Sequence, residues 1–221
     1  MKDFFSENNI KGIIFDCDGV LVDSEKLSCG ALNVVFEKYF NIDIGTDYSQ
    51  IIGKSLKDSL GYYISTFQIK VPNTLDLQTL YQEKDASYQN LARNNLQPFS
   101  GVIELLEYLK QSLLQITVAS SGTHEKIQFN LEQGKLQKYF SIITSADEVQ
   151  HGKPNPDLFL LSAKKINLNP SNCLVIEDSV SGIKAAKAAN MFTVGVTNTF
   201  DSKTLLEAGA DKIVVKLDEL I

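Results

Sequence analysis

Two aspartates that follow an apolar segment are the residues of this sequence best suited to chemistry. Asp16 and Asp18 come directly after the apolar segment 13–15, and Gly19 follows them. Because side chains alternate along extended backbone, both carboxylates can point the same way. Two carboxylates that close repel each other unless a cation lies between them, and Mg²⁺ is the oxygen-preferring candidate. We therefore predict a magnesium site here, in preference to the hairpin turn that an Asp-Gly pair also favours.

Three further apolar segments are followed by polar residues of complementary kinds. These are Ser120, Ser121 and Gly122 after segment 116–119, Lys153 beyond segment 142–144, and Glu177 with Asp178 after segment 173–176. Hydroxyls and backbone N–H groups suit an anion, a lysine adds positive charge, and the acids suit a metal. Phosphoryl transfer needs these same parts, together with a nucleophile in line. Ser120 and Ser121 could equally cap the helix that follows, and the two roles are compatible because a helix N-terminus binds anions.

The elements that must position these residues alternate along the second half of the chain. Apolar segments of four or five residues, such as 173–176 and 192–196, alternate with amphipathic segments such as 102–113 and 156–166. This alternation predicts an α/β fold with a mostly parallel sheet. The strands do not alternate apolar and polar residues, which indicates burial on both faces. Ligands bind such sheets at the carboxyl ends of the strands, where the acids and Lys153 lie.

The segment between the first strand and this alternation has only helical patterns, from about residue 24 to residue 93. We predict two domains. Residues 1–20 and 97–221 form the α/β core, and residues 21–96 form a helical cap inserted into it. Two short segments, 22–24 and 95–100, would then act as hinges that let the cap close over the site.

Length and charge exclude several classes of protein. The chain has 221 residues, enough for one good core and a smaller satellite domain. Its net charge of −6, without any basic run, argues against nucleic acid as a partner. No apolar segment approaches the length of a membrane span, and the N-terminus lacks a signal-peptide layout. Three widely spaced cysteines give no disulfide or zinc pattern. We expect a cytoplasmic protein, a monomer, with no membrane partner.

Four motifs in this order resemble those of the haloacid dehalogenase-like superfamily, in its β-phosphoglucomutase-like phosphatase branch. They are Asp-Cys-Asp-Gly-Val-Leu-Val-Asp-Ser at 16–24, Val-Ala-Ser-Ser at 118–121, Gly-Lys-Pro-Asn-Pro-Asp at 152–157 and Val-Ile-Glu-Asp-Ser-Val-Ser-Gly at 175–182. The resemblance spans nearly the whole chain. It implies a Rossmann-like parallel sheet core with an inserted α-helical cap domain.

The resemblance also implies a role for each acid. Asp16 would attack phosphorus and become an aspartyl-phosphate. Asp18 would protonate the leaving alcohol and later deprotonate the attacking water. Mg²⁺ would bind Asp16, Asp178 and the backbone carbonyl of Asp18. Glu177 would lie nearby without binding the metal directly and would support its ligands.

The resemblance places the phosphoryl group among residues that follow the first, second and third core strands. Ser120 and Lys153 would hold its oxygens, assisted by backbone N–H groups of Cys17, Asp18 and Ser121. Gly122 would complete this substrate-binding loop. The expected substrate is a small phosphate ester, similar to a sugar phosphate or a polyol phosphate.

Two departures from the mutase pattern favour a phosphatase over a phosphomutase. Mutases of this branch tend to carry a histidine on the first cap helix, where this chain has Ser28, and an arginine after a Gly-x-Ser in the cap. Here Gly-Lys-Ser at 53–55 is followed by Leu56. We expect Lys54 and Ser55 to contact the non-phosphate part of the substrate. A phosphomutase is the alternative; a binding protein without catalysis and a dehalogenase are more distant ones.

Overall fold

Helices and strands alternate through most of the chain. The computed structural model describes residues 4–46, 51, 56–72 and 75–221. In these ranges the strands are β1 (Gly12–Phe15), β2 (Gln115–Ser120), β3 (Ile143–Ser145), β4 (Cys173–Glu177), β5 (Phe192–Val196) and β6 (Lys212–Val214). The α-helices there are α1 (Phe4–Glu7), α2 (Glu25–Phe40), α3 (Leu56–Thr66), α4 (Leu77–Ala92), α5 (Val102–Lys110), α6 (His124–Gln133), α7 (Asp157–Lys165), α8 (Val180–Ala188) and α9 (Ser202–Ala208).

The strands form one parallel sheet in the order β3-β2-β1-β4-β5-β6. β2 and β3 lie on one side of β1, and β4, β5 and β6 follow one another on its other side. The strand order therefore reverses between β1 and β4. Phe15 at the end of β1 lies opposite Val118 of β2 and Ile176 of β4. Ligands of such sheets bind at the carboxyl ends of the strands beside this reversal. The predicted α/β fold with a Rossmann-like parallel sheet is confirmed.

Burial explains why β1 and β4 are rich in apolar residues. Every residue of β1 and of β4 is buried. Ile14 and Val175 from these strands pack in one cluster with Phe159 of α7 and Ala185 of α8. Complete burial of a large apolar side chain stabilises a fold by about 1.5–3 kcal/mol. This cluster therefore holds the strands whose ends carry the candidate site residues.

The chain divides into two compact units. One consists of Met1–Asp23 and Gln97–Ile221, and the other of Ser24–Leu96. The sequence placed the first boundary three residues earlier, after residue 20. Leu21 and Val22 belong with the sheet unit because the carbonyl of Leu21 accepts a hydrogen bond from the N–H of Phe99, and Val22 bridges to Pro98.

The unit Ser24–Leu96 contains α2, α3 and α4, as the helical patterns predicted. Phe36 of α2, Leu60 and Tyr63 of α3 and Leu80 of α4 pack in one apolar cluster. This unit is therefore a small helical bundle with a core of its own.

The helix α9 was not predicted, although its ends carry clear signals. The side chain of Asp201 caps its first turn by accepting from the N–H of Thr204 at 2.7 Å. Gly209 ends it with φ 111°, a left-handed conformation that glycine adopts without strain. None of the helices in the described part of the chain has both the length and the apolar character needed to cross a membrane.

Candidate active site

The residues that follow β1 and β4 meet at the carboxyl edge of the sheet. The N–H of Asp16 donates to the carbonyl of Ile176 at 3.0 Å, so the pairing of β1 with β4 continues one residue beyond the strand. Because Phe15 lies opposite Ile176, this register brings Asp16 beside Glu177. Both side chains are buried. Two of the predicted site residues therefore lie together because of the register of two neighbouring strands.

Lys153 joins these two acids. Its ammonium lies 2.5 Å from Oδ1 of Asp16 and 2.5 Å from Oε1 of Glu177. It also lies 5.0 Å from the centre of the Phe159 ring, on the face of α7 that packs against the sheet. The Lys153 side chain is only 5% exposed. A lysine this buried is almost always paired, and this one has two carboxylates.

Glu177 has a second set of contacts with the start of α8. Its Oε2 accepts from the N–H of Asp178 at 3.0 Å and from the N–H and hydroxyl of Ser179, each at 2.9 Å. The carboxylate thus satisfies backbone donors at a helix N-terminus with one oxygen and binds Lys153 with the other. These contacts fix Glu177 as the residue that holds Lys153 in place.

Asp178 is held against the turn that follows β1. The hydroxyl of Thr199, from the loop after β5, donates to its Oδ2. Gly19 lies beside the same carboxylate with φ 82°, and a Cβ at this position would come 2.0 Å from Oδ2. Asn198 donates from its side-chain amide to the Gly19 carbonyl at 2.8 Å. The end of β5 thus adds two residues, Asn198 and Thr199, that the sequence analysis missed.

Burial has the largest effect on how these groups ionise. Burial raises the pKa of Asp16 to about 7, although the charge of Lys153 acts to lower it. Burial also raises the pKa of Asp178 well above its ordinary value, and the charges of Glu177 and Asp16 add to this effect. For Lys153, burial lowers the pKa, but the charges of Asp16 and Glu177 outweigh it and the pKa is raised. One ammonium therefore faces more carboxylate than it can neutralise.

This excess of negative charge fits a divalent cation. Asp16, Glu177 and Asp178 are buried oxygen donors, the kind that Mg²⁺ prefers. Within the described ranges, no three His, Cys, Asp or Glu side chains are arranged as a metal-binding group. The ligand set implied by the resemblance needs only two side-chain carboxylates, Asp16 and Asp178, and takes a third oxygen from a backbone carbonyl. The residues present are thus compatible with Mg²⁺.

The carboxylate of Asp18 has partners of its own on α6. Its Oδ2 accepts from the ammonium of Lys126 at 2.9 Å, and its Oδ1 accepts from the side-chain amide of Asn130 at 2.9 Å. Neither Lys126 nor Asn130 was predicted from the sequence as a site residue. Lys126 and Asn130 lie four residues apart on the helix that Thr123 caps, so their side chains share one helix face. This spacing was the signal that the sequence offered.

Ser120 is the last residue of β2, and Ser121 and Gly122 lie in the short connection to α6. Ser120 is buried, and its oxygen accepts from the N–H of Gly122 at 3.2 Å. Because that bond uses an oxygen lone pair, the hydroxyl proton remains to be donated. Ser121 is exposed and Gly122 is half-buried. The two other predicted substrate contacts, Lys54 and Ser55, lie outside the described residues.

The chain matches known proteins over nearly its full length. The model of the family described as haloacid dehalogenase-like hydrolase matches residues 13–196. The phosphorylated carbohydrates phosphatase of Thermotoga maritima is 32% identical over 214 residues, which are 96% of this chain and 97% of that protein. The β-phosphoglucomutase of Mycobacterium bovis is 28% identical over 240 residues, covering 96% of this chain and 92% of that protein.

A solved structure extends the likeness to the fold. The crystal structure of β-phosphoglucomutase from Clostridium difficile has a TM-score of 0.77 to this chain at 29% identity, covering 96% of this chain and 93% of that one. The family match covers most of the chain and includes Asp16, Asp18, Ser120, Lys153, Glu177 and Asp178. The chain therefore belongs to the haloacid dehalogenase-like hydrolases, in the branch of phosphoric monoester hydrolases that is similar to β-phosphoglucomutase.

Proposed function

We propose that the protein is a Mg²⁺-dependent phosphatase that hydrolyses small phosphate monoesters through an aspartyl-phosphate on Asp16. One observation carries the proposal. The buried carboxylate of Asp16 lies at the end of the central strand β1, 2.5 Å from the Lys153 ammonium, which it shares with a second buried acid, Glu177. A carboxylate held in this way is positioned as a nucleophile for an anionic substrate, because the ammonium offsets the charge of the incoming phosphoryl group.

The first step transfers the phosphoryl group to the enzyme. A carboxylate oxygen of Asp16 forms a bond to phosphorus as the bond from phosphorus to the leaving oxygen breaks. Asp18 gives its proton to that leaving oxygen, so an alcohol departs. In the second step Asp18 takes a proton from water, whose oxygen attacks phosphorus, and inorganic phosphate leaves while the Asp16 carboxylate is regenerated.

The metal site is proposed from the acids around Asp16. Asp16 and Asp178 would hold Mg²⁺ together with the backbone carbonyl of Asp18. Glu177 would not bind the metal directly, but would help to position this site through its contacts with Lys153 and the start of α8. When bound, Mg²⁺ supplies charge that stabilises the transferring phosphoryl group.

The phosphoryl oxygens would be bound by donors from the ends of β1 and β2 and from the segment after β3. The Ser120 hydroxyl and the Lys153 ammonium are the side-chain donors, and backbone N–H groups of Cys17, Asp18 and Ser121 add to them. Fixed donors of this kind stabilise charge that develops in the transition state without having to reorganise. Gly122 adds backbone next to this group and no side chain that could obstruct it.

Sugar phosphates and polyol phosphates are the proposed substrates. The relatives support this class, since one is a phosphatase of phosphorylated carbohydrates and another a β-phosphoglucomutase. Ser28 stands where mutases of this branch tend to carry a histidine, which favours hydrolysis over return of the phosphoryl group to product. We further propose that the enzyme acts as a monomer in the cytoplasm, where its free cysteines Cys17, Cys29 and Cys173 would stay reduced.

A panel of phosphate monoesters with Mg²⁺ tests the proposal. The panel contains glycerol 3-phosphate, hexose 6-phosphates, a hexose 1-phosphate and 4-nitrophenyl phosphate, and release of inorganic phosphate is measured. We expect release from at least one sugar or polyol phosphate. The hexose 1-phosphate is also incubated with a hexose bisphosphate, and formation of the isomeric hexose phosphate would support the phosphomutase instead. Absence of phosphate release and of isomer across the panel would contradict the proposal.

A further inference from the structure

Two residues of α6 contact both oxygens of the Asp18 carboxylate. The ammonium of Lys126 donates to Oδ2 and the amide of Asn130 donates to Oδ1, both at 2.9 Å. We call Lys126 and Asn130 the Asp18 clamp. A carboxylate that accepts at both oxygens from two separate side chains cannot rotate without breaking a hydrogen bond. The clamp therefore sets the direction in which Asp18 presents its remaining lone pairs.

The clamp is built into the fold and is not a contact between mobile surface side chains. Thr123 caps α6 by accepting from the N–H of Lys126, which fixes where the helix begins. Asn130 follows one turn later and is completely buried. Cys17, the residue between the two aspartates, is completely buried as well. One clamp residue is thus anchored in the core beside Asp18.

The connection before α6 leaves room for the other clamp residue. A Cβ at Gly122 would come 3.4 Å from Cδ of Lys126, so the lysine stem passes directly over this glycine. The Lys126 and Asp18 side chains are both about a quarter exposed, at 28% and 26%. Ion pairs at the surface stabilise a fold by only about 0–1 kcal/mol. We therefore expect this partly exposed pair to contribute little to stability.

We propose that Lys126 and Asn130 are positioning residues that orient Asp18 for proton transfer to the leaving group. The inference rests on the proposed function, in which Asp18 is the general acid. Each carboxylate oxygen has two lone pairs, so a bond from the clamp leaves a second lone pair to carry the proton. The proton then moves from that oxygen to the leaving oxygen as the bond to phosphorus breaks, while both hydrogen bonds of the clamp persist.

Leaving groups separate this role from a structural one. An alkoxide is a poor leaving group and needs the proton of Asp18, whereas 4-nitrophenolate departs as a stable anion and needs little help. Loss of the clamp should therefore slow hydrolysis of an alkyl phosphate much more than hydrolysis of 4-nitrophenyl phosphate. A general loss of fold, or of positive charge near the substrate, would slow both esters by a similar factor.

The experiment compares Lys126→Met with wild type on two esters, 4-nitrophenyl phosphate and the alkyl phosphate of the panel that wild type hydrolyses fastest. We expect kcat/KM for the alkyl phosphate to fall about 10- to 100-fold, since misplaced catalytic groups cost rates of this order. We expect the value for 4-nitrophenyl phosphate to stay within about threefold of wild type. Lys126→Arg, which keeps a charged donor, should restore most of the lost rate. Lys184→Met on α8 changes an exposed lysine of the same unit and serves as the matched control.

Three results would overturn the inference. The first is an equal loss for both esters in Lys126→Met, and the second is no loss for either. The third is a wild-type enzyme that hydrolyses neither ester; it contradicts the proposed function, and the inference falls with it. Asn130→Ala removes the other donor of the clamp, and its kcat/KM on the same two esters tests the leaving-group effect a second time. Thermal melts show which variants are folded.

Discussion

Gly182 on α8 lies against the carboxylate of Glu177, so closely that a Cβ at this position would come 1.8 Å from Oε1. Glu177 in turn holds Lys153 with that same oxygen, which makes the absence of a side chain at Gly182 a condition for the Lys153 contact. The Ser179 side chain caps α8 by accepting from the N–H of Gly182 at 3.0 Å. Gly182 therefore supports both the start of α8 and the contact between Glu177 and Lys153.

Gly182→Ala should destabilise the protein, although glycine to alanine in a helix ordinarily stabilises by up to about 1 kcal/mol. The new methyl group would displace Glu177, and overpacking of this kind costs about 1–3 kcal/mol. The measurement is urea unfolding of the variant beside Gly61→Ala. Gly61 lies in α3, where an added Cβ meets nothing within 4 Å, so that variant should gain stability. Equal gains in both variants would show that the close approach at Gly182 is unimportant.

Thr199→Val should weaken Mg²⁺ binding because it removes the hydroxyl that holds Asp178 and keeps the shape of the side chain. Loss of a second-layer partner typically costs 10- to 100-fold in metal affinity. Calorimetric titration of the metal-free protein with Mg²⁺ measures this effect directly. Thr199→Ser keeps the donor and should bind nearly as wild type does. If valine and threonine give the same affinity, the hydrogen bond does not orient Asp178 for a metal.

Removal of metal should abolish hydrolysis, and addition of Mg²⁺ should restore it. We expect EDTA to stop phosphate release and Ca²⁺ to inhibit in competition with Mg²⁺. Calcium accepts longer bonds and higher coordination, so it can occupy Asp16 and Asp178 yet leave nucleophile and phosphorus misplaced. Steady-state rates at fixed substrate over a range of each ion provide the measurement. Full activity in metal-free buffer would rule out the role proposed for Asp178.

Asp16 should lower the stability of the metal-free protein as pH rises between 3.8 and about 7. The folded-state pKa of Asp16 is raised from 3.8 to about 7 by burial, so in this window the folded protein keeps a proton that the unfolded chain has released. The contribution of Asp16 to the free energy of unfolding therefore falls as pH rises through the window. Denaturant unfolding in EDTA at several pH values tests this.

Asp16→Asn is the control for this pH dependence, because asparagine does not titrate. With rising pH the variant should lose less stability, or gain more, than wild type, and Asp178 still contributes a loss because its pKa is shifted in the same direction. The same slope of stability against pH in variant and wild type would contradict the assignment.

Most of the fold could be predicted because its local signals agree with the tertiary structure. The strands are apolar runs that end where polar residues begin, and the parallel order of the sheet then brings Asp16, Lys153, Glu177 and Asp178 together. Even α9 carried sequence signals at both ends, Asp201 and Gly209, but with seven residues it is too short for a repeated helical pattern.

The residues that sequence analysis missed at the site are those whose roles depend on packing. Lys126 and Asn130 have the composition of an ordinary helix surface, and only the placement of α6 against Asp18 gives them partners. Asn198 and Thr199 follow β5 in a loop without any motif, and their contacts with Gly19 and Asp178 depend on how that loop turns back. No spacing rule links residues so distant in the chain.

The kcat/KM of Asp16→Asn on the best phosphate ester, at saturating Mg²⁺, tests the central claim most directly. An amide cannot attack phosphorus, so we predict that kcat/KM falls at least about 10³-fold, as for other lost nucleophiles. A thermal melt shows that the variant is folded, because asparagine has nearly the same shape as aspartate. A folded Asp16→Asn variant that keeps more than about a tenth of the wild-type kcat/KM would contradict catalysis through an aspartyl-phosphate on Asp16.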